Sequence, residues 1–152
     1  MASNSRLAIA IHTAGMLAFG EEMPITSTMI AKSVNTNPVV IRRIIGSLVK
    51  HGLVEVKMGT GGGSKLAKPA SNISIAEIYL ALEEGEIFHV PDLEESHGCP
   101  VAKLVRPVLK EIFGDAEDGL IAKLRHKTLQ HVIDELRMEL PADFCLKKLS
   151  NG

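Results

Sequence analysis

The sequence predicts a mainly α-helical protein with one small β-hairpin, and three observations support this. Apolar residues recur at helical spacing through most of the 152 residues. One alternating segment runs into a cluster of glycines, the signal of a hairpin. Hydrophobic residues make up 45% of the chain, with one Tyr, four Phe and no Trp, an aliphatic mixture suited to helix packing.

Leu7, Ala10, Ile11, Ala14, Leu17 and Ala18 share a face, so Ser5 to Phe19 is predicted as the first helix, ended by Gly20. A loop through Met23 and Pro24 follows, and Thr26 or Ser27 caps a short second helix carrying Met29, Ile30 and Val34. Asn35 and Thr36 form a turn. Asn37 is a suitable N-cap and Pro38 a suitable first helical residue, because proline's missing N–H would be unpaired there anyway. The third helix runs from Pro38 to about Lys50, with Ile41, Ile44, Ile45, Leu48 and Val49 as its buried stripe, and Gly52 stops it. Leu53 to Met58 alternates as a strand, Gly59 to Gly63 forms the turn, and Ser64 to Lys68 returns before Pro69. Three helices and a glycine-tipped hairpin are the parts of a winged helix-turn-helix.

Ile73 to Leu82 is predicted as a helix capped by Asn72 or Ser74, and Glu83 to Gly98 is acidic and irregular. Val101 to Phe113 is helical, with a kink expected at Pro107. A long helix is expected from about Asp115 to Leu140, ended by Pro141, and Phe144, Cys145, Leu146 and Leu149 form an amphipathic tail. The predicted organisation is therefore a winged helix-turn-helix in residues 1–70 and connecting helices with a sensor-type loop in 71–113. A long dimerisation helix follows in 114–140, then the tail in 141–152. The apolar side of that long helix needs a cover: it could fold back onto its own domain, but its position after a complete winged unit favours a second copy of the chain, with Leu120, Leu124, Val132 and Leu136 at the seam.

The formal net charge of −1 conceals an asymmetry: residues 1–70 hold eight cations against three anions, and 71–152 hold nine against fifteen. A basic first half points to a polyanionic partner. No stretch approaches the roughly 20 apolar residues of a membrane span, and no signal peptide is evident, so the expected location is the cytoplasm. Two cysteines, Cys99 and Cys145, are too few for a disulfide framework. No Ser-His-acid set, paired carboxylates or strand-loop-helix phosphate motif suggests an enzyme, and no cofactor is expected.

Double-stranded DNA is the polyanion the pattern fits. Thr36, Asn37, Val39, Arg42 and Arg43 occupy the outward, N-terminal part of the third helix, where a recognition helix presents donors to base edges and phosphates. The bare turn with Gly61, Gly62 and Gly63, flanked by Lys57 and Lys65, suits a phosphate or minor-groove contact. A glycine loop can also cradle a nucleotide, but that pattern needs a helix directly after the loop. The alternative function is an adaptor that uses a winged helix to bind protein without DNA.

Gly52-Leu53-Val54, then Gly59, the Gly61-Gly62-Gly63 run and Leu66-Ala67 resemble the wing signature of the Rrf2 family of bacterial winged-helix regulators. The resemblance extends to the first helix, Ile25 to Val34, Ile73 to Leu82 and Cys99-Pro100-Val101, covering most of residues 1–138. It implies a homodimer joined through the long C-terminal helix, with two winged units on a palindrome-like operator; so compact a regulator is more often a repressor. Two positions depart from the pattern: Met58 stands where an arginine is usual, and Ser64 where an aromatic is usual. The iron-sulfur members carry three loop cysteines, of which Cys99 matches the last, with Ile87 and Leu93 at the other two equivalents. One thiolate cannot hold a cluster, so none is expected. His89, His97 and Cys99 are too widely spaced for a recognisable zinc motif and are read as loop residues. Cys99, placed before a helix N-terminus, is a candidate redox thiol, with a plain packing role as the competing reading.

Overall fold

The computed structural model describes residues 5–20, 23–82, 87–91, 99–141 and 144. Among them, helix α1 spans Ser5–Phe19, α2 Ser27–Ser33 and α3 Pro38–Lys50. Strands β1 (Val54–Lys57) and β2 (Gly63–Leu66) pair antiparallel, with Glu55 opposite Lys65 and Lys57 opposite Gly63. A single 3-10 turn at Ala70–Asn72 leads to α4 (Ile75–Ala81), then α5 (Pro100–Arg125) and α6 (Leu129–Glu139).

The predicted first half holds closely. Thr26 caps α2 and Asn37 caps α3, its side-chain oxygen accepting from the Val39 N–H at 2.8 Å. The end of α3 is a Schellman motif: Gly52 has φ +69°, its N–H donates to the Val49 carbonyl, and the Leu53 N–H donates to Leu48. Ile41, Ile44, Ile45 and Leu48 are buried as expected, but Val49 is 40% exposed, because it falls on the edge facing the hairpin. The returning strand begins at Gly63, which pairs with Lys57 and so belongs to the ladder and not to the turn. Ile25 adds a bridge to Ser64, whose N–H donates to the Ile25 carbonyl at 2.9 Å, pinning the hairpin to the start of α2.

The second half differs from expectation. A single 26-residue helix, α5, runs through both Pro107 and Gly114, and the chain breaks instead at His126–Thr128. There is thus no helix from Asp115 to Leu140. Leu120 and Leu124 lie on α5, whereas Val132 and Leu136 lie on α6. Helix α6 folds back on α1 and on the 3-10 turn, placing Leu129 and Ile133 in the same core as Leu17, Ile41 and Ile78. Each of those two side chains contributes about 1.5–3 kcal/mol by burial. Leu124 and Val132 pack partly against this core, so two of the four expected seam residues serve their own subunit. Paired capping boxes fix the join: Ser74 with Glu77, and Thr128 with His131. Between them the Ile75 N–H donates to the Lys127 carbonyl and the Leu129 N–H to Ile73, both at 2.8 Å.

Helix α5 has no buried residue, and Val101, Leu104, Val108 and Ile112 form an exposed apolar row along it. The predicted tail lies outside the described residues except Pro141 and Phe144, the latter in edge-to-face contact with Phe19.

Candidate nucleic-acid interface

The turn between α2 and α3 is set by Asn35, with φ 51°, and by the Thr36 N–H donating to the Ala31 carbonyl at 2.9 Å. Thr36 is half-buried in that turn, and Asn37 spends its oxygen on the cap. With Ile41, Ile44, Ile45 and Leu48 turned inward, the residues left exposed on α3 are Val39, Arg42, Arg43, Gly46, Val49 and Lys50. Their spacing makes one continuous stripe. Arg42 and Arg43 make no ion pair or hydrogen bond to any described residue.

The two flanking lysines of the wing are not equivalent. Lys65 lies opposite Glu55 and pairs with it at 3.2 Å, whereas Lys57 has no described partner. Exposed as it is, the Lys65–Glu55 pair is weak and screened by salt, but it offsets the positive charge at that point. The glycines also divide. Gly61, with φ +71°, occupies a left-handed conformation that the turn requires. A Cβ on Gly62 would collide with the Lys57 carbonyl oxygen, and one on Gly63 would press at 3.0 Å on the backbone of Ile25. Gly62 is therefore explained by packing inside the wing and Gly63 by the contact of the wing with Ile25.

Between α3 and the wing lies a groove of about 520 Å³, lined by Arg42, Gly46, Val49, Val56, Met58 and Gly63 among others. Met58 is 85% exposed there, and Ser64, at the other departure from the family pattern, is buried against Ile25. Sequence reasoning missed Gly46, Val49, Val56 and Met58 as a set. The available signal was a glycine on the outward face of an otherwise regular helix.

Two titratable groups stand apart from the interface. Burial lowers the pKa of His12, whose Nε2 lies 2.9 Å from the Ser33 hydroxyl and links α1 to α2. Partial burial pushes the Glu77 carboxyl up, but hydrogen bonds from Lys68 and Ser74 outweigh it and hold the group below its ordinary value.

In the sensor region, Cys99 is exposed and N-caps α5 without a side-chain hydrogen bond. The segment 87–91 lies against the middle of α5. Glu117 Oε1 accepts the N–H groups of Ile87 and Phe88 at 2.7 and 3.2 Å, and Phe88 stacks on Phe113 with ring centroids 4.9 Å apart. Leu93 and His97 lie outside the described residues, as does Cys145. Among the described residues no three His, Cys, Asp or Glu side chains are grouped to hold a metal.

Helix-turn-helix, wing and outward cationic stripe define the class, a winged helix-turn-helix protein. The profile of the Rrf2 family, described as an iron-dependent transcriptional regulator, matches residues 3–135. Among curated relatives, a protein of Bacillus subtilis provisionally named the HTH-type transcriptional regulator YwnA is 36% identical over 133 residues, covering 88% of this chain and 98% of its own. Protein rrf2 of Nitratidesulfovibrio vulgaris is 28% identical over 132 residues, covering 87% and 82%. A crystal structure of a protein provisionally described as DNA-binding is 34% identical, with a TM-score of 0.67 over 85% of this chain and 99% of that one. The oxidised form of CymR from Staphylococcus aureus, 22% identical, shares the fold with a TM-score of 0.63 over 88% and 96%. The chain belongs to the Rrf2 family of transcriptional regulators.

An iron-sulfur cluster does not suit the thiols of this chain. The loop's single thiol, Cys99, cannot supply the several thiolates a cluster needs, and Ile87 at another equivalent position uses its backbone to bind Glu117. No described helix is long and apolar enough to cross a membrane.

Proposed function

We propose that the chain is a homodimeric, sequence-specific DNA-binding repressor that works in the cytoplasm on a palindrome-like operator. The observation that carries this reading is the α3 stripe: Arg42 and Arg43, with no partner among the described residues, on a face the core leaves bare. Arg43 reaches base edges in the major groove, assisted by Asn37 and Val39 at the helix start, while the wing enters the neighbouring minor groove. The test is selection of bound fragments from genomic DNA by wild type and by Arg42→Ala/Arg43→Ala. Wild type enriches a symmetric motif and the double variant enriches none; equal enrichment by both sinks the assignment.

Pairing is assigned to α5. Its exposed row of Val101, Leu104, Val108 and Ile112 supports this, as does Leu120, which is 40% exposed on the same helix. Gly114 and Gly119 have open space around an added Cβ, which lets a second helix come close. Leu104→Glu with Val108→Glu is expected to sediment as a monomer and to bind the operator at least about tenfold more weakly, since one half-site contact is lost. A dimer of undiminished stability places the seam elsewhere. Cys99 is the candidate signal input; its exposure at the head of α5 supports that role. Mild thiol oxidation should change operator affinity in wild type and leave Cys99→Ser unaltered.

A second reading, a protein-binding adaptor, draws on the exposed Met58 and Val56 of the wing. Salt separates the two, because phosphate contacts weaken steeply as ionic strength rises and apolar protein contacts do not.

A further inference from the structure

Gly46 sits in the middle of α3, where glycine is the least favourable residue after proline. Nothing in the fold asks for it. Its φ is not positive, and a Cβ built there meets no atom within 4 Å. Gly62 is fixed by contacts inside the wing and Gly63 by the backbone of Ile25, whereas Gly46, on the cationic stripe, has no such contact and answers to something outside the chain. Gly15 has similar room, but on the buried face of α1, and Gly114 and Gly119 have it on α5, where the pairing proposed above accounts for them.

The position indicates what approaches. A major groove and the minor groove next to it are separated by one sugar–phosphate strand. If α3 occupies the first and the wing the second, that strand must cross between them, over the groove floored by Gly46. The walls suit it: Val49, Val56 and Met58 offer apolar surface to deoxyribose C–H groups, and among the described residues Arg42 is the one charged side chain lining the groove. Its guanidinium has no described partner, so it is free to take a phosphate.

We propose that this groove seats one strand of the duplex backbone. The phosphate lies on Arg42, the sugar lies against Val49, Val56 and Met58, and the missing side chain of Gly46 permits the approach. The proposal rests on the DNA-binding reading above and divides its two arginines: Arg42 positions, Arg43 reads bases.

The test measures affinities of wild type, Gly46→Ala, Arg42→Ala and Arg43→Ala for the selected operator and for shuffled duplexes across a salt series, together with melting temperatures. Gly46→Ala should melt higher by about 2–4 °C. It should bind every duplex roughly tenfold more weakly, as an overpacked contact does. Arg42→Ala should lower the salt slope by about one and keep the sequence preference, whereas Arg43→Ala should change the preference. Wild-type affinity in Gly46→Ala, a loss confined to particular bases, or a failure to melt higher each overturns the proposal. In those cases wild-type binding leaves the regulator reading intact; a wild type that binds no duplex overturns both.

Discussion

Asn37 performs two jobs that its sequence position could not separate. Its oxygen caps α3, and its amide nitrogen remains at the edge of the reading face. Aspartate caps as well as asparagine but brings a negative charge toward phosphates. Asn37→Asp should therefore keep the urea midpoint of wild type while cutting operator affinity by about tenfold, about what one unfavourable charge contact costs; anisotropy titration checks it. Ser74→Ala removes one half of a capping box and should cost about 1 kcal/mol in urea denaturation, with DNA affinity per folded molecule unchanged. His12 gives a pH dependence of definite sign. Burial favours its neutral form in the folded chain, so the folded state binds fewer protons than the unfolded one. Stability is complete above the ordinary histidine value of 6.5 and is lost as pH falls through the lower folded value. His12→Gln should flatten that slope in midpoints measured across the range. Caps such as Asn37 and Ser74 were legible because their preference is local. Val49 was misplaced as core because the edge of a helical stripe is decided by the neighbouring hairpin.

In the first half of the chain, elements bounded by glycine or proline signals were legible for the same reason. Gly52 shows why: at φ +69° it closes α3 without any clash around it, so Gly52→Ala should cost about 1–2 kcal/mol from backbone strain alone. The wing's register, which places Glu55 beside Lys65, was not legible from either strand separately. Glu55→Ala releases Lys65, and the salt slope of operator binding should steepen by a fraction of one, with affinity at low salt rising about threefold. The division between α5 and α6 escaped prediction because the usual breakers misled. Gly114 and Pro107 lie inside a continuous helix, while the true break at His126–Thr128 has neither residue. Its signal is a capping box with histidine at the third position in place of Glu or Gln. The clasp of Ile87 and Phe88 on Glu117 links residues about thirty apart, a separation no local pattern reveals.

For the molecule as a whole, the basic half and the acidic half are less separable than their charges imply. Leu129 and Ile133 complete a core otherwise built from α1, α3 and α4 and their connections, and two backbone hydrogen bonds bind the start of α6 to the start of α4. A fragment of residues 1–70 should accordingly fail to melt cooperatively in calorimetry, whereas 5–141 should do so. This closure also constrains biosynthesis. As the chain leaves the ribosome, the reading head waits for residues more than forty positions beyond its own last helix before its interior is sealed. The exposed apolar row on α5 emerges before that sealing piece, so a nascent chain displays it while its core is still incomplete.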